Sequence, residues 1–126
     1  MSKEKKITVL VVEPEKKPYL KEIDNTLESL QSEVGGDIQA IYPFEELVGI
    51  VCCETAKLDG MPLNRALRDE NGKVYDIIAG TFLVVGLADD DFGSLNEKHI
   101  EQFTEHFKTP EMFVSIDGGL IILPLE

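Results

Sequence analysis

The chain has 126 residues, 43% of them hydrophobic and 29% charged, which is typical of a globular domain and excludes a disordered or fibrous chain. Its 12 lysines and arginines stand against 24 aspartates and glutamates, so the formal net charge is -12. Direct nucleic-acid binding is therefore not expected, because lysines and arginines drive it by releasing counterions from phosphates. The same charge disfavours adsorption to an anionic membrane surface.

The acidic residues are unevenly distributed. Residues 1–22 contain six lysines and four glutamates, a local charge of +2. Residues 23–126 contain six lysines and arginines and 20 aspartates and glutamates, a local charge of -14. A large acidic surface attracts basic partners and speeds their encounter. A basic protein partner is therefore more compatible with this chain than a nucleic acid.

The sequence favours a cytoplasmic protein with reduced cysteines. The first apolar run covers only Ile7 to Val12, with no small-residue cleavage site after it, so no signal peptide is predicted. No stretch approaches the roughly 20 apolar residues that span a bilayer. Cys52 and Cys53 are adjacent, and neighbouring side chains of a strand point to opposite faces, so a disulfide between them would be strained.

Hairpins and one short helix are predicted for the first half of the chain. Residues 5–13 are rich in β-branched residues and predict a buried strand, with residues 19–23 as its hairpin partner. Residues 37–42 and 47–54 predict a second hairpin. Between them lies a helix capped by Asp24, Asn25 or Thr26, with Gly35-Gly36 as its left-handed end.

The second half continues the pattern of strands. Residues 57–63 predict a loop, and residues 64–69 a short strand or a helical turn. Asn71-Gly72 predicts a type I′ hairpin turn that leads into a strand over residues 73–78. Residues 81–87 predict a core strand.

The last third is predicted as a loop, a helix and a hairpin. Residues 89–93 predict an acidic loop, and Ser94 with Glu97 has the spacing of a helix capping box. Residues 112–116 and 120–125 flank a turn and predict the closing hairpin. The whole chain, residues 1–126, is therefore predicted to be one α+β domain, mostly antiparallel sheet built from hairpins, with two helices.

Catalysis and metal binding have no positive signal in the sequence. His99 and His106 lie seven residues apart, whereas zinc ligands on a helix usually stand three or four apart. Asp89-Asp90-Asp91 lacks the alternate spacing and the final glutamate of a calcium loop. We therefore predict no catalytic residues, no metal and no cofactor, and an enzyme is the least supported class.

The strongest candidate for a site lies between residues 58 and 81. Arg65 is one of only two arginines, and Asn64 precedes it. Asp76 interrupts an apolar strand, and Thr81 restarts the next one after a glycine. Two interpretations of these residues stay open. An ion pair between Arg65 and Asp76 would close the loop over the sheet, or Asn64, Arg65, Asp76 and Thr81 would bind a ligand or partner, because a guanidinium recognises anions bidentately.

Two runs in this region are PLNRA, from Pro62 to Ala66, and YDIIAGTF, from Tyr75 to Phe82. They are the most specific parts of a resemblance to domain-of-unknown-function family 3846, which extends from Val9 to Leu125. Members are typical of phages, plasmids and conjugative elements of Gram-positive bacteria. The resemblance implies an accessory or counter-defence role and transfers no catalytic residue.

Two functions follow as expectations. The first is a non-catalytic accessory protein of a phage or mobile element, whose acidic surface binds a basic host or element protein. The alternative is a small-molecule binder for a nucleotide-like ligand at Asn64, Arg65, Asp76 and Thr81, since Arg65, Arg68 and Lys73 are the only cluster of cations after residue 22. A homo-oligomer through an edge of the middle strands is also compatible with the sequence.

Overall fold

The central sheet has six antiparallel strands. A computed structural model describes residues 4–89 and 91–125. The sheet runs in the order β2-β1-β7-β4-β3, with the short β8 also paired to β7. Its strands are β1 (Lys6–Val12), β2 (Tyr19–Asp24), β3 (Ile38–Ile41), β4 (Val48–Cys53), β7 (Phe82–Ala88) and β8 (Asp91–Gly93).

Two helices and two separate hairpins complete the fold. These are α1 (Leu27–Val34), α2 (Glu97–His106), the hairpin of β5 (Leu63–Arg68) with β6 (Val74–Ala79), and the hairpin of β9 (Glu111–Ile116) with β10 (Gly119–Pro124). The described residues thus form an α+β fold of mostly antiparallel strands with two helices, which confirms the predicted class. No helix in these residues is long and apolar enough to cross a membrane.

Both faces of the central sheet are covered, which explains why its strands are apolar without strict alternation. Val9 and Val11 of β1 pack on the side of α1, together with Leu30 and Val34 of that helix. Leu10 and Val12 of β1 pack on the other side, against α2 and the β5–β6 hairpin, as part of a second cluster. That cluster also includes Leu67, Ile78, Phe103 and Phe107. The site described below lies in this second layer.

The first helix has the predicted ends. Thr26 is its N-cap and accepts a hydrogen bond from Ser29 N at 3.1 Å. Gly35 ends the helix in the left-handed region, with φ 85°. Leu30 and Val34 are buried, whereas Leu27 remains 58% exposed. Only two of these three apolar residues of the helix therefore reach the core.

The predicted start of the second helix is wrong. Asn96, and not Ser94, is the N-cap and accepts from His99 N at 2.8 Å. Ser94 Oγ accepts a hydrogen bond from Thr8 N at 2.9 Å instead. Leu95 between them is buried in the core. The serine is thus used to join β1 to the segment before the helix, which the capping spacing alone does not reveal.

The acidic loop over residues 89–93 is also only partly correct. Asp91–Gly93 forms β8, which pairs with the end of β7 and places Gly93 opposite Gly86. A Cβ at Gly86 would come within 2.3 Å of Ser94 O, so the close approach requires glycine there. Asp90, the middle residue of the aspartate triplet, lies outside the described residues.

Leu63–Arg68 forms a strand, so of the two alternatives predicted for residues 64–69 the strand is correct, but the turn after it is not type I′. That turn type needs positive φ at both central residues, and in this turn only Gly72 has one, at 81°. Asp69 organises the turn, because its carboxylate accepts from Asn71 N and from Lys73 N, each at 2.9 Å. The closing hairpin does have two positive values, at Asp117 and Gly118.

Candidate functional site

Asn64 lies at the centre of the predicted site and is completely buried. Its side-chain amide donates to Val12 O in β1 and to Gly80 O, each at 2.8 Å. Its carbonyl oxygen accepts from Arg65 Nη1 at 2.8 Å. One asparagine therefore ties β5 to the end of β1 and to the link between β6 and β7, and both ends of its amide are satisfied.

Arg65 is the other buried polar residue of the described chain, at 2% exposure. Its Nε and Nη2 both donate to Phe107 O, at 3.2 and 2.9 Å. Nη2 also donates to Lys16 O at 2.8 Å, and Nη1 makes its shortest bond to the Asn64 side chain. All three guanidinium nitrogens are thus donors within the fold.

The end of α2 compensates for the buried charge of Arg65. A helix C-terminus has unpaired carbonyls and a partial negative charge, which a cation stabilises. Phe107 is the C-cap residue of α2, and its carbonyl accepts two of the guanidinium bonds. Burial lowers the pKa of Arg65, while the nearby Glu111 raises it. We therefore interpret Arg65 as the cap of α2, held in place by Asn64.

The predicted ion pair between Arg65 and Asp76 does not form. In the β5–β6 register Arg65 lies opposite Ile78, and Asp76 lies opposite Leu67. Asp76 is exposed and pairs with Lys57, at 2.9 Å between Nζ and Oδ1. Arg65 and Asp76 share one face of the hairpin, but Arg65 is buried and bonds to backbone carbonyls such as Phe107 O, whereas Asp76 lies two residues nearer the turn, at the surface beside Lys57.

For the carboxyl group of Asp76, burial favours a higher pKa, but the hydrogen bonds from Lys57 and from Ile77 N outweigh it. The pKa of Asp76 is therefore lowered overall. A carboxylate that stays ionised and paired with a lysine at the surface needs no ligand to explain it.

Thr81 lies beside the buried pair without being part of it. It is half-buried and follows Gly80, whose positive φ of 75° lets the chain turn from β6 into β7. Gly80 O accepts from Asn64, and Gly80 N donates to Pro62 O at 2.7 Å. The fold thus brings together Asn64, Arg65 and the Gly80-Thr81 link, and leaves Asp76 elsewhere.

Arg65 and Asp76 border different cavities. Arg65 and Arg68 border a cavity of about 290 Å³ together with His106, Thr109 and Glu111. Asp76 borders a different cavity of about 190 Å³, next to Cys52, Cys53 and Lys57. Neither of these two cavities has all four predicted site residues in its wall, so Arg65 and Asp76 do not face a common pocket there.

Sequence reasoning missed the partners that fix Arg65. Phe107 and Lys16 contribute only backbone carbonyl groups, and Glu111 contributes a carboxylate that accepts from Ala66 N and from Arg68 Nη2. Backbone acceptors leave no trace in residue identity. The available signal was the rarity of arginine, since Arg65 is one of only two in the chain, and its position directly after Asn64.

The side chains of His106, Cys52 and Cys53 have environments that packing within the fold explains. His106 packs its ring against Phe44 and Phe107, with centroids 5.3 and 4.7 Å apart. Cys52 and Cys53 are buried free thiols, and burial raises the pKa of Cys52. Within residues 4–89 and 91–125, no three histidine, cysteine, aspartate or glutamate side chains are grouped as a metal would require.

The exposed side of α2 has a row of carboxylates. Glu97, Glu101 and Glu105 are exposed and spaced four residues apart, so they line one side of the helix. We call these three residues the acidic face of α2. Glu105 pairs with Lys108 at 2.7 Å, but both side chains are more than half exposed, so this pair contributes little. The buried side of the helix packs through Phe103 and Phe107.

Comparison with known proteins identifies the family. No curated protein and no solved structure matches the chain. The family model described as Domain of unknown function (DUF3846) matches residues 7–108, which include the Asn64–Arg65 pair and both helices, and end before the β9–β10 hairpin. Because this match covers well over half of the 126 residues, the chain belongs to the DUF3846 family.

Proposed function

We propose that this chain is a non-catalytic accessory protein that binds a basic protein through its acidic surface. The observation that supports this most directly is the acidic face of α2, which has three exposed carboxylates on a helix whose other side is anchored in the core. A rigid row of like charges attracts a complementary basic surface and orients it. Lys98 is the single lysine or arginine between Glu97 and His106.

The environment of the buried polar residues supports a binding role over catalysis. Asn64 and Arg65 have every polar group engaged with the fold, and no buried side-chain nitrogen or oxygen in the described chain lacks a partner. Enzyme sites commonly keep reactive groups poised in a cleft with a strongly shifted pKa. Such an arrangement is not seen around these two residues, so the function is assigned to the surface.

The proposal includes the cellular setting. From the sequence resemblance we propose that this chain comes from a phage, plasmid or conjugative element and acts in the cytoplasm on a host or element enzyme. A surface that evolved to hold phosphates also attracts carboxylates. We therefore expect the partner to be a basic protein, with a nucleic-acid enzyme of a host defence system as the favoured class, and a counter-defence role as the consequence.

The test uses two variants that each remove three negative charges. Glu97→Gln, Glu101→Gln and Glu105→Gln together neutralise the acidic face of α2. Glu22→Gln, Glu54→Gln and Glu70→Gln together neutralise three exposed glutamates elsewhere on the chain. The full chain and both variants are used to capture proteins from host lysate at about 50 and 500 mM salt, across which the screening length falls severalfold.

We expect a basic protein to bind the unmodified chain and the control variant at low salt, to be lost at high salt, and to be lost from the α2 variant. The captured protein is then purified, and its affinity for the three chains is measured directly. Recovery of no basic protein would contradict the proposal, and so would binding that persists unchanged at high salt.

A nucleotide-like ligand is the alternative proposal, and one observation favours it. Arg65 and Arg68 border the same cavity of about 290 Å³, so two of the few cations of the acidic body face one space. In that cavity Arg68 pairs with Glu111 at 2.6 Å, and an anion would have to displace this carboxylate. Thermal-shift measurements with nucleotides test it, since a ligand at 100 times its Kd stabilises a protein by about 2.7 kcal/mol.

A further inference from the structure

Exposed apolar side chains are concentrated in the β9–β10 hairpin. Its strands have five large hydrophobic residues that are 41–49% exposed, namely Met112, Ile116, Leu120, Ile121 and Leu123. The hairpin follows the range that matches the family model and forms a two-stranded sheet of its own. A two-stranded hairpin is at best marginally stable in water unless another surface covers it. This exposure therefore needs an explanation.

The strand register places most of these side chains on one face. Cross-strand partners share a face of the hairpin. One face has the pairs Met112 with Leu123, Val114 with Ile121, and Ile116 with Gly119, which alternate along the strands with the three pairs of the opposite face. The opposite face includes Glu111, which bonds to β5 through Ala66 N at 2.8 Å, so that side faces the body of the protein. We call Met112, Val114, Ile116, Ile121 and Leu123 the apolar face of the hairpin.

The hairpin also has an open backbone edge. Within the described chain β10 pairs with β9 alone. The two-residue turn at Asp117-Gly118 makes Ile116 and Gly119 a hydrogen-bonded pair, so the amides of Leu120 and Ile122 point away from β9. An uncharged edge of this kind is a template for another strand.

Charge indicates which strand would pair with this edge. Residues 112–125 contain a single charged residue, Asp117, although the whole chain has a net charge of -12. A basic partner of the kind proposed above would find no carboxylate on the apolar face of the hairpin. Interfaces between identical subunits are, in contrast, richer in apolar residues and poorer in charge. The hairpin is also the part of the surface on which two acidic chains repel each other least.

We infer that two copies of this chain form a dimer through β10. The two β10 strands pair antiparallel about a two-fold axis that passes beside Ile121, with the outward groups of Leu120 bonding to those of Ile122 in the second copy. The two hairpins then form one four-stranded sheet with a continuous apolar face. An interface made by one short strand from each copy belongs to the low end of specific interfaces, about 1,200 Å² in total or less, so a dimer with micromolar Kd is expected.

Sedimentation velocity on the full chain tests this inference. We expect the mass to rise from the 14.0 kDa of one chain to twice that value between about 1 and 200 µM. Added salt should strengthen the dimer by screening the repulsion between two acidic chains. Added salt should weaken the complex with a basic partner. The salt responses of the dimer and of that complex are opposite, so failure of one proposal can be distinguished from failure of the other.

Charge changes at the axis test the register. Ile121→Lys and Ile121→Glu each place two like charges opposite each other, and each variant should be monomeric at all these concentrations. An equimolar mixture of the two should regain the dimer, because the opposed charges become complementary. Leu58→Lys is the matched control, since Leu58 is 89% exposed outside the hairpin, and it should dimerise like the unmodified chain.

A second variant tests the edge independently of the apolar face. Leu120→Pro removes an outward amide and should also prevent dimerisation, with circular dichroism confirming that the chain is folded. A chain that remains monomeric to about 200 µM in high salt would overturn the inference. It would also be overturned if the Ile121 variants dimerised alone or if their mixture stayed monomeric.

Discussion

The guanidinium of Arg65 caps helix α2 through two hydrogen bonds to the carbonyl oxygen of Phe107, at 3.2 and 2.9 Å. A buried arginine usually pairs with a carboxylate, because an uncompensated buried charge is costly. Here the compensation comes from the negative end of the helix and from further carbonyl groups. The pair of Asn64 and Arg65 thus connects β1, β5, the β6–β7 link and α2 at one point.

Asn64→Ala should destabilise the fold strongly. The substitution removes the amide that Val12 O and Gly80 O share, and leaves two buried carbonyl groups without a donor. At about 1 to 3 kcal/mol for each unsatisfied group, we expect the free energy of unfolding to fall by roughly 2–6 kcal/mol. Urea unfolding measures this, with Asn71→Ala in the exposed turn as a control that should change it by less than about 0.5 kcal/mol.

The two cysteines should be unreactive in the folded chain. Both are buried, burial raises the pKa of Cys52, and its Sγ donates to Gln39 O at 3.7 Å. A thiol that stays protonated and covered is a poor nucleophile. An aromatic disulfide reagent at pH 8 should therefore react slowly with the native protein and with both thiols at once in denaturant. Fast reaction of one thiol in the native state would contradict this and would reopen a catalytic role.

His106 should make stability depend on pH below neutrality. Its pKa is lowered, first by burial against neighbouring rings and then by Arg68, while Glu46 opposes the shift. The unfolded chain then binds more protons near pH 6.5 than the folded chain does, so the free energy of unfolding falls as pH drops through 6.5 towards the folded pKa. Part of the histidine is exposed, so the effect should be modest.

Melting temperatures between about pH 7.5 and 5.5 check this sign. The fall on acidification should be smaller in His106→Gln than in the unmodified chain. His99→Gln, which changes the other histidine of α2, is measured alongside, so that loss of a histidine at position 106 is compared with loss of one elsewhere on the helix. Equal slopes in His106→Gln and the unmodified chain would show that His106 does not contribute.

Much of this fold could be predicted from local patterns. The β-branched run of β1, the glycine at the end of α1 and the Asp117-Gly118 turn each act through backbone conformation or burial over a few residues, so the sequence around them is sufficient. The errors occur where a distant segment uses the same group. Ser94 is occupied by Thr8 of β1, and the Asp91–Gly93 strand depends on Gly86 of β7.

The candidate site shows the same division. Arg65 stands out in the sequence as one of only two arginines, and Asn64 beside it follows the turn-forming run from Gly60 to Leu63. Their partners could not be predicted, because the acceptors are backbone carbonyl groups of Val12, Gly80 and Phe107 that any residue provides. Charge alone pairs Asp76 with Arg65, whereas in the fold Lys57 reaches Asp76 at the surface and backbone carbonyls satisfy the buried Arg65.

The most direct test of the account is the stability of Arg65→Ala in urea, measured beside Arg68→Ala. If Arg65 holds the fold together, its loss leaves the carbonyls of Phe107 and Lys16 unpaired and lowers the free energy of unfolding by roughly 2–6 kcal/mol, at about 1 to 3 kcal/mol for each group. Arg68, whose side chain is 42% exposed in its pair with Glu111, should cost about 1 kcal/mol or less. A stable Arg65→Ala chain that has lost a nucleotide-induced thermal shift would contradict the account and establish a ligand site.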